Sequence, residues 1–143
     1  VTSATQASSV GTYPIIVSGG DDENYDFTYV AGTLIITKST ITATVSNASR
    51  TFQTENPVFI INYSGFANGE NSTVLDTPPV AGTIATISSP VGAYPITISG
   101  GDDNNYSFVY VNGTLTITKA TPAVSWATPS PITYGTPLSA TQL

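Results

Sequence analysis

The sequence predicts an all-β protein, mainly antiparallel, built as small β modules in tandem. Three observations carry that expectation: a long internal repeat, short runs of period-two apolar alternation, and a composition rich in β-branched and hydroxyl side chains. Of 143 residues, 24 are Thr and 16 are Ser; 40% are apolar and only 8% charged. Soluble domains usually carry about 25% charged residues. β-Branched and aromatic side chains fit a pleated, half-buried surface. Disorder is the competing reading of a Ser/Thr-rich chain, but regular apolar alternation supplies the buried face that disordered segments lack.

The repeat sets the domain organisation. Val10-Gly11-Thr12-Tyr13-Pro14-Ile15 returns 81 residues later as Val91-Gly92-Ala93-Tyr94-Pro95-Ile96. Gly19-Gly20-Asp21-Asp22 returns as Gly100-Gly101-Asp102-Asp103, and Tyr25, Phe27 and Tyr29 return as Tyr106, Phe108 and Tyr110. Between residues 10–38 and 91–119, 21 of 29 positions are identical without a gap. Residues 1–38 therefore read as the C-terminal half of one repeat, 39–119 as a complete repeat, and 120–143 as the start of the next. Pro122, Pro129, Pro131 and Pro137 crowd the last stretch, as at a module boundary. There Thr133-Tyr134-Gly135-Thr136 echoes Thr51-Phe52-Gln53-Thr54. Val1 stands in mid-pattern, so the chain is expected to be an internal fragment.

Individual strands follow from the alternation. Tyr94, Ile96 and Ile98 alternate with Pro95, Thr97 and Ser99. Pro95 cannot donate a ladder hydrogen bond, which predicts an edge or an unpaired N–H position there. Val109-Tyr110-Val111, Asn112-Gly113 and Thr114-Leu115-Thr116 read as a hairpin with a type I′ turn. That hairpin would pair Tyr110 with Leu115, Phe108 with Ile117, and Tyr106 with Lys119. It would put Phe108, Tyr110, Leu115 and Ile117 on the core face. In the first copy the turn position holds Ala31-Gly32, and Ala disfavours positive φ, so a different turn is expected. Ile16 and Ile35 stand where the second copy has Thr97 and Thr116. A neighbouring domain or strand is expected to cover that patch in the first copy only.

Further strands are expected at 41–46, 58–63 and 83–88. Val58-Phe59-Ile60-Ile61 is apolar on both faces and reads as a central strand. Strand features lapse over 68–76 and Pro78-Pro79 follows, so at most one short helical turn is expected near 70–76.

Charge and missing residue types remove several functions. Net charge is −6, with Lys38, Arg50 and Lys119 the only cations. Nucleic acid is excluded as a partner, because phosphate binding needs clustered Lys and Arg. Anionic membranes are disfavoured for the same reason. Without Cys or His there is no disulfide, thiol nucleophile or His-based metal site. No apolar run reaches the length of a membrane span, so no insertion is expected from this segment.

The best chemical candidates are the acidic loops Asp21-Asp22-Glu23 and Asp102-Asp103-Asn104-Asn105. Clustered oxygens suit Ca²⁺, which takes roughly six to eight of them, and Ca²⁺ is the one cofactor the sequence suggests. The spacing is not that of an EF-hand, and Gly-Gly followed by Asp is also ordinary turn chemistry. A glycosidase would need paired carboxylates. The same Asp pairs recur in both copies on exposed loops, which argues against catalysis, and no catalytic residue is assigned. Tyr13, Tyr25, Tyr29, Tyr94, Tyr106 and Tyr110 would form a sugar platform only if exposed; their period-two placement favours core packing. A Lys–Asn isopeptide bond at Lys38 or Lys119 would need a buried carboxylate, so stems lying over Tyr rings are the expected arrangement. Asn47, Asn62, Asn71, Asn105 and Asn112 satisfy Asn-x-Ser/Thr, as Thr-rich chains do by chance.

Four runs carry a family resemblance. They are Tyr63-Ser64-Gly65-Phe66 with Asn68-Gly69-Glu70, the run from Pro90 to Ile96, the run from Gly100 to Tyr106, and the run from Tyr110 to Ile117. Together they resemble the MBG-type repeats (YGX and YDG group) of large bacterial surface proteins, over residues 1–119. Trp126 and residues 132–143 resemble the opening of a bacterial Ig-like repeat. Phe52-Gln53 departs from the Tyr-Gly such repeats often carry. The resemblance implies a β-grasp-like sheet or a small sandwich, and a secreted or surface-attached adhesin-like protein with many copies in series. It implies a spacer role in a stalk or fibre and no catalytic residues. Partners would be neighbouring repeats and, in a fibre, other copies. The alternative is a carbohydrate- or protein-binding surface module, Ca²⁺-dependent or not. Residues 1–38, lacking leading strands, are expected to take sheet partners from upstream sequence or another chain. Complementation between copies would give a head-to-tail filament.

Overall fold

A computed structural model describes residues 1–140. Thr141, Gln142 and Leu143, the end of the Ig-like run, lie outside the described residues. The strands are β1 (Gly11–Ile15), β2 (Gly32–Ile36), β3 (Ser39–Val45), β4 (Ala48–Thr51), β5 (Ile61–Ser64), β6 (Val80–Thr83), β7 (Gly92–Ser99), β8 (Tyr106–Val111) and β9 (Gly113–Thr118). One turn of 3-10 helix, Ser72–Val74, sits where a helical turn was expected, with Asn71 Oδ1 accepting the N–H of Thr73 at 3.0 Å.

β3 to β9 form two sheets, ordered β5-β3-β8 and β4-β9-β7-β6. Alternation explains why they pack. Ala43 and Val45 on one sheet meet Ile96, Ile98, Leu115 and Ile117 on the other, in one buried cluster. A second cluster of Ile41, Leu75 and Tyr106, flanked by Phe66 and Phe108, closes one end. Core between two facing sheets makes this a small sandwich.

The chain switches sheets twice, side by side. β3 continues into β4 through Ser46-Asn47, and β8 into β9 through Asn112. β3 pairs in parallel with β8, from Ser39 opposite Tyr106 to Thr44 opposite Val111. β4 pairs in parallel with β9, from Ala48 opposite Leu115 to Thr51 opposite Thr118. The remaining pairings are antiparallel.

This corrects the hairpin expected at Asn112-Gly113. Tyr110 lies opposite Ala43, and Leu115 lies opposite Ala48 and Tyr94. Neither Asn112 nor Gly113 has the positive φ that a type I′ turn requires. Gly113 is needed for close approach instead: a Cβ there would sit 2.9 Å from the carbonyl oxygens of Val45 and Ser46. Two asparagines fix the corner. Asn112 Oδ1 accepts the N–H of Ile98 at 2.9 Å, and Asn47 Oδ1 accepts that of Thr114 at 2.8 Å. A hairpin would satisfy only its two strands. The corner gives each half a longer-range partner and places Leu115 and Ile117 between the sheets.

Two strand expectations also change. In place of the expected central strand at 58–63 there is the shorter edge strand β5: Phe59, Ile61 and Tyr63 alternate inward against the core, while Val58 and Ile60 are exposed. The strand expected at 83–88 lies earlier, as β6. Beyond Thr83 the chain is tied to a buried Arg50 instead. Arg50 Nη2 donates to Thr86 O at 2.5 Å and its Nε to Asn56 Oδ1 at 2.7 Å, while Asn56 Nδ2 donates to Ala85 O at 2.7 Å. Pro95 sits inside β7, but β6 reaches only as far as Ile96, so at Pro95 only β9 is a ladder partner.

In the first copy, β1 and β2 pair in the register of β7 and β9: Tyr13 faces Leu34 as Tyr94 faces Leu115. Residues 25–30, the counterpart of β8, form no strand, because no strand like β3 lies beside them. The patch expected to be covered is open: Ile16 and Ile35 are 54% and 66% exposed. No strand is assigned over 119–140. There Thr136 N–H bonds Thr133 O at 3.0 Å with Gly135 at φ 85°, and in the second repeat Thr54 N–H bonds Thr51 O at 3.3 Å with Gln53 at φ 62°. Positive φ at the third position alone is the mark of a type II turn. Among the described residues no helix is long and apolar enough to cross a membrane.

Candidate functional site: the acidic loop and the joint

The second acidic loop organises backbone. Asp103 is buried. Its Oδ1 accepts the N–H of Asn105 at 2.8 Å and of Tyr106 at 3.0 Å, and its Oδ2 accepts the N–H of Asp76 at 3.2 Å. Asp76 answers from the facing loop: its Oδ2 accepts from Asn104 N at 3.0 Å and from Asn104 Nδ2 at 2.9 Å. Backbone bonds between Thr77 and Asp102, 2.9 Å each way, close the loop. Gly101 must be glycine, with φ at 88° and a Cβ that would meet the Tyr110 hydroxyl and Pro79 at 3.0–3.1 Å.

In the first loop only the local part survives. Asp22 Oδ1 accepts Asn24 N at 2.8 Å, repeating the Asp103–Asn105 turn. The Tyr29 hydroxyl donates to Gly19 O as Tyr110 donates to Gly100 O. Asp21, Asp22, Glu23 and Asp102 are exposed. Among the described residues, no three Asp or Glu side chains come together as a group that could hold a metal ion.

The tyrosines serve as locks. Tyr13 donates to Ser9 O at 2.7 Å and Tyr94 to Pro90 O at 2.9 Å, the same bond in both copies. Tyr106 is buried; its hydroxyl donates to Glu70 Oε2 at 2.6 Å and accepts from Ala67 N at 3.0 Å. The hydrogen bond to the Glu70 carboxylate, then burial, holds the Tyr106 hydroxyl above its ordinary pKa of 10.0. Burial, then the Tyr110 hydroxyl, raises that of Tyr63.

The same loop receives the joint between the copies. Two residues, Thr37 and Lys38, separate β2 from β3. Lys38 Nζ donates to Asp103 O at 2.6 Å, Ser39 N to Asn105 O at 2.9 Å, and Val10 N to Asn105 Oδ1 at 2.9 Å. Gln6 Nε2 donates to Asn68 Oδ1 at 3.1 Å. The roles of Asp76, Glu70 and Asn105 were not legible from sequence, since their partners lie 28 to 95 residues away. The signals were membership of motifs alone: Glu70 in the run Asn68-Gly69-Glu70, and Asn105 in the second acidic loop and as the recurrence of Asn24.

Fold and site together define a structural repeat module: a small β unit, complete over β3 to β9, whose trailing half recurs in sequence over residues 10–38 and whose polar residues organise backbone and joint. The chain belongs to the MBG domain family, YGX type; the match covers residues 1–35 and 41–116. MBG domains are surface-protein repeats, typical of extracellular proteins, and are not known as an enzyme family. No curated protein and no solved structure matches the chain.

Proposed function

We propose that this chain is a load-bearing spacer within a bacterial extracellular stalk or fibre of the adhesin-like kind, secreted or held at the cell surface. One observation carries the reading: the two ends of the 39–119 unit leave from opposite ends of two successive parallel strand pairs, β3 with β8 and β4 with β9. Ser39 opens β3 beside the start of β8, and Thr118 ends β9 beside the end of β4. Tension along the stalk therefore runs parallel to these strands. Ladder hydrogen bonds lie across the strands. Such tension loads all of them together in shear, where a hairpin at the ends would open one bond at a time. The short joint and its bonds to Asp103 and Asn105 limit bending between units.

Pulling single molecules tests this. The chain has no Cys, so handles can be placed at will. Handles at Lys38→Cys and Lys119→Cys load the parallel pairs in shear. Handles at Thr51→Cys and Thr118→Cys peel β4 from β9. A higher unfolding force in the first geometry is expected; equal forces remove the load-bearing role. On a glycan array the spacer is expected to show no saturable binding, with or without Ca²⁺; saturable binding would favour a binding module.

A further inference from the structure

We infer that the exposed apolar face of residues 10–36 is a docking site for a leading half-repeat, a separate polypeptide segment whose strands read like residues 39–81 of this chain. The inference rests on the repeat reading and adds the partner's identity and register.

The second copy shows the site occupied. There β3 lies beside β8, β4 beside β9 and β6 beside β7. In the first copy the last part of the β6 place is held by the chain's own Val1 and Thr2, with Thr2 opposite Ile15 and Ile16 N–H donating to Val1 O at 2.7 Å. The rest of the recipient surface is the same. Ile15, Val17 and Leu34 stand where Ile96, Ile98 and Leu115 are buried, yet all three are exposed. The surface is already shaped. Its ribbon is in register, its Asp22–Asn24 turn is formed, and Phe27 and Tyr29 stack at 6.3 Å as Phe108 and Tyr110 do at 6.2 Å.

Gly32 supplies an independent sign. At its counterpart Gly113, the absence of a Cβ admits the Val45 and Ser46 carbonyls at 2.9 Å. At Gly32 a Cβ would meet only Ile15 side-chain atoms, at 3.5 Å and beyond. The clearance is present and the crossing backbone is not. The chain's own 39–81 segment is committed elsewhere, with Ile41, Ala43 and Val45 buried. The occupant is therefore another segment with small and β-branched residues in that alternation, adding in parallel to residues 25–30. β-Strand addition supplies affinity through the main chain and register through alternate side chains.

The test adds a peptide of residues 39–81 to the full chain and follows amide exchange. Exchange at 25–30 is expected to slow on the order of tenfold or more at saturation, with 106–111 unchanged. Because the chain has no Cys, register is read by cross-linking: peptide Ala43→Cys should form a disulfide with chain Tyr29→Cys and not with chain Thr28→Cys, as Ala43 faces Tyr110 in the second copy. Unchanged exchange at 25–30, equal slowing by an Ile41→Asp/Val45→Asp peptide, or cross-linking at both positions would overturn the inference. So would slowing that grows with chain concentration alone, which would make a second copy of the chain the occupant. None of these outcomes bears on the pulling geometry, which concerns β3 to β9 alone.

Discussion

Two stretches of nearly the same sequence reach different states in one molecule. Residues 91–119 end in a buried sheet; residues 10–38 end in an open two-stranded ribbon. Tyr106 is 4% exposed and its counterpart Tyr25 is 73%; Leu115 is 0% exposed and Leu34 is 37%. Locally the copies agree in ribbon register, Asx turn and tyrosine locks. They part only where a strand like β3 or β4 is required. Local chemistry sets the turns and the ribbon, and long-range parallel pairing makes the core. A two-stranded ribbon alone is marginal in water.

Paired substitutions sharpen the contrast, each read by chemical denaturation. Leu115→Ala empties a fully buried site and should cost about 2–5 kcal/mol, while Leu34→Ala should cost under about 1. Gly113→Ala drives a methyl into two backbone carbonyls and should cost about 1–3 kcal/mol. Gly32→Ala, in ordinary contact with Ile15, should be close to neutral. Equal costs for the two glycines would mean that the corner does not approach as closely as described. Asp103→Asn disturbs three backbone bonds and should cost about 1–2 kcal/mol, whereas Asp22→Asn should stay within about 0.5.

The smallest effect is on pH dependence. The Tyr106 pKa is raised in the folded state, so its contribution to stability is complete below pH 10.0 and is lost as pH rises through the folded value. Thermal unfolding followed above pH 10 should show a decline that Tyr106→Phe largely removes, leaving the part due to Tyr63. A decline unchanged in the variant would exclude the Glu70 bond as its cause.

The sequence was legible wherever a period or a repeat spoke. Alternation at Tyr94, Ile96 and Ile98 marked β7, and the sequence echo at 133–136 marked a turn of the same kind as that at 51–54. Pairing was not legible at Asn112-Gly113, because a hairpin and a corner share the same alternation; only the approach of Val45 and Ser46 distinguishes them. The run from Val58 to Ile61 misled because apolar residues on both faces suggest a central strand, whereas here two of them face solvent at an edge. The acidic loops were found as motifs. Their structural partners Asp76 and Lys38 required three dimensions.

Everything turns on β3 as the element that converts an exposed copy into a buried one. Residue-resolved amide exchange on the unmodified chain probes it most directly. Amides of β8 should be protected to near the stability of the whole unit, while those of 25–30 exchange almost as in an unfolded peptide. Comparable protection in the two stretches would show that residues 25–30 hold a strand without such a partner.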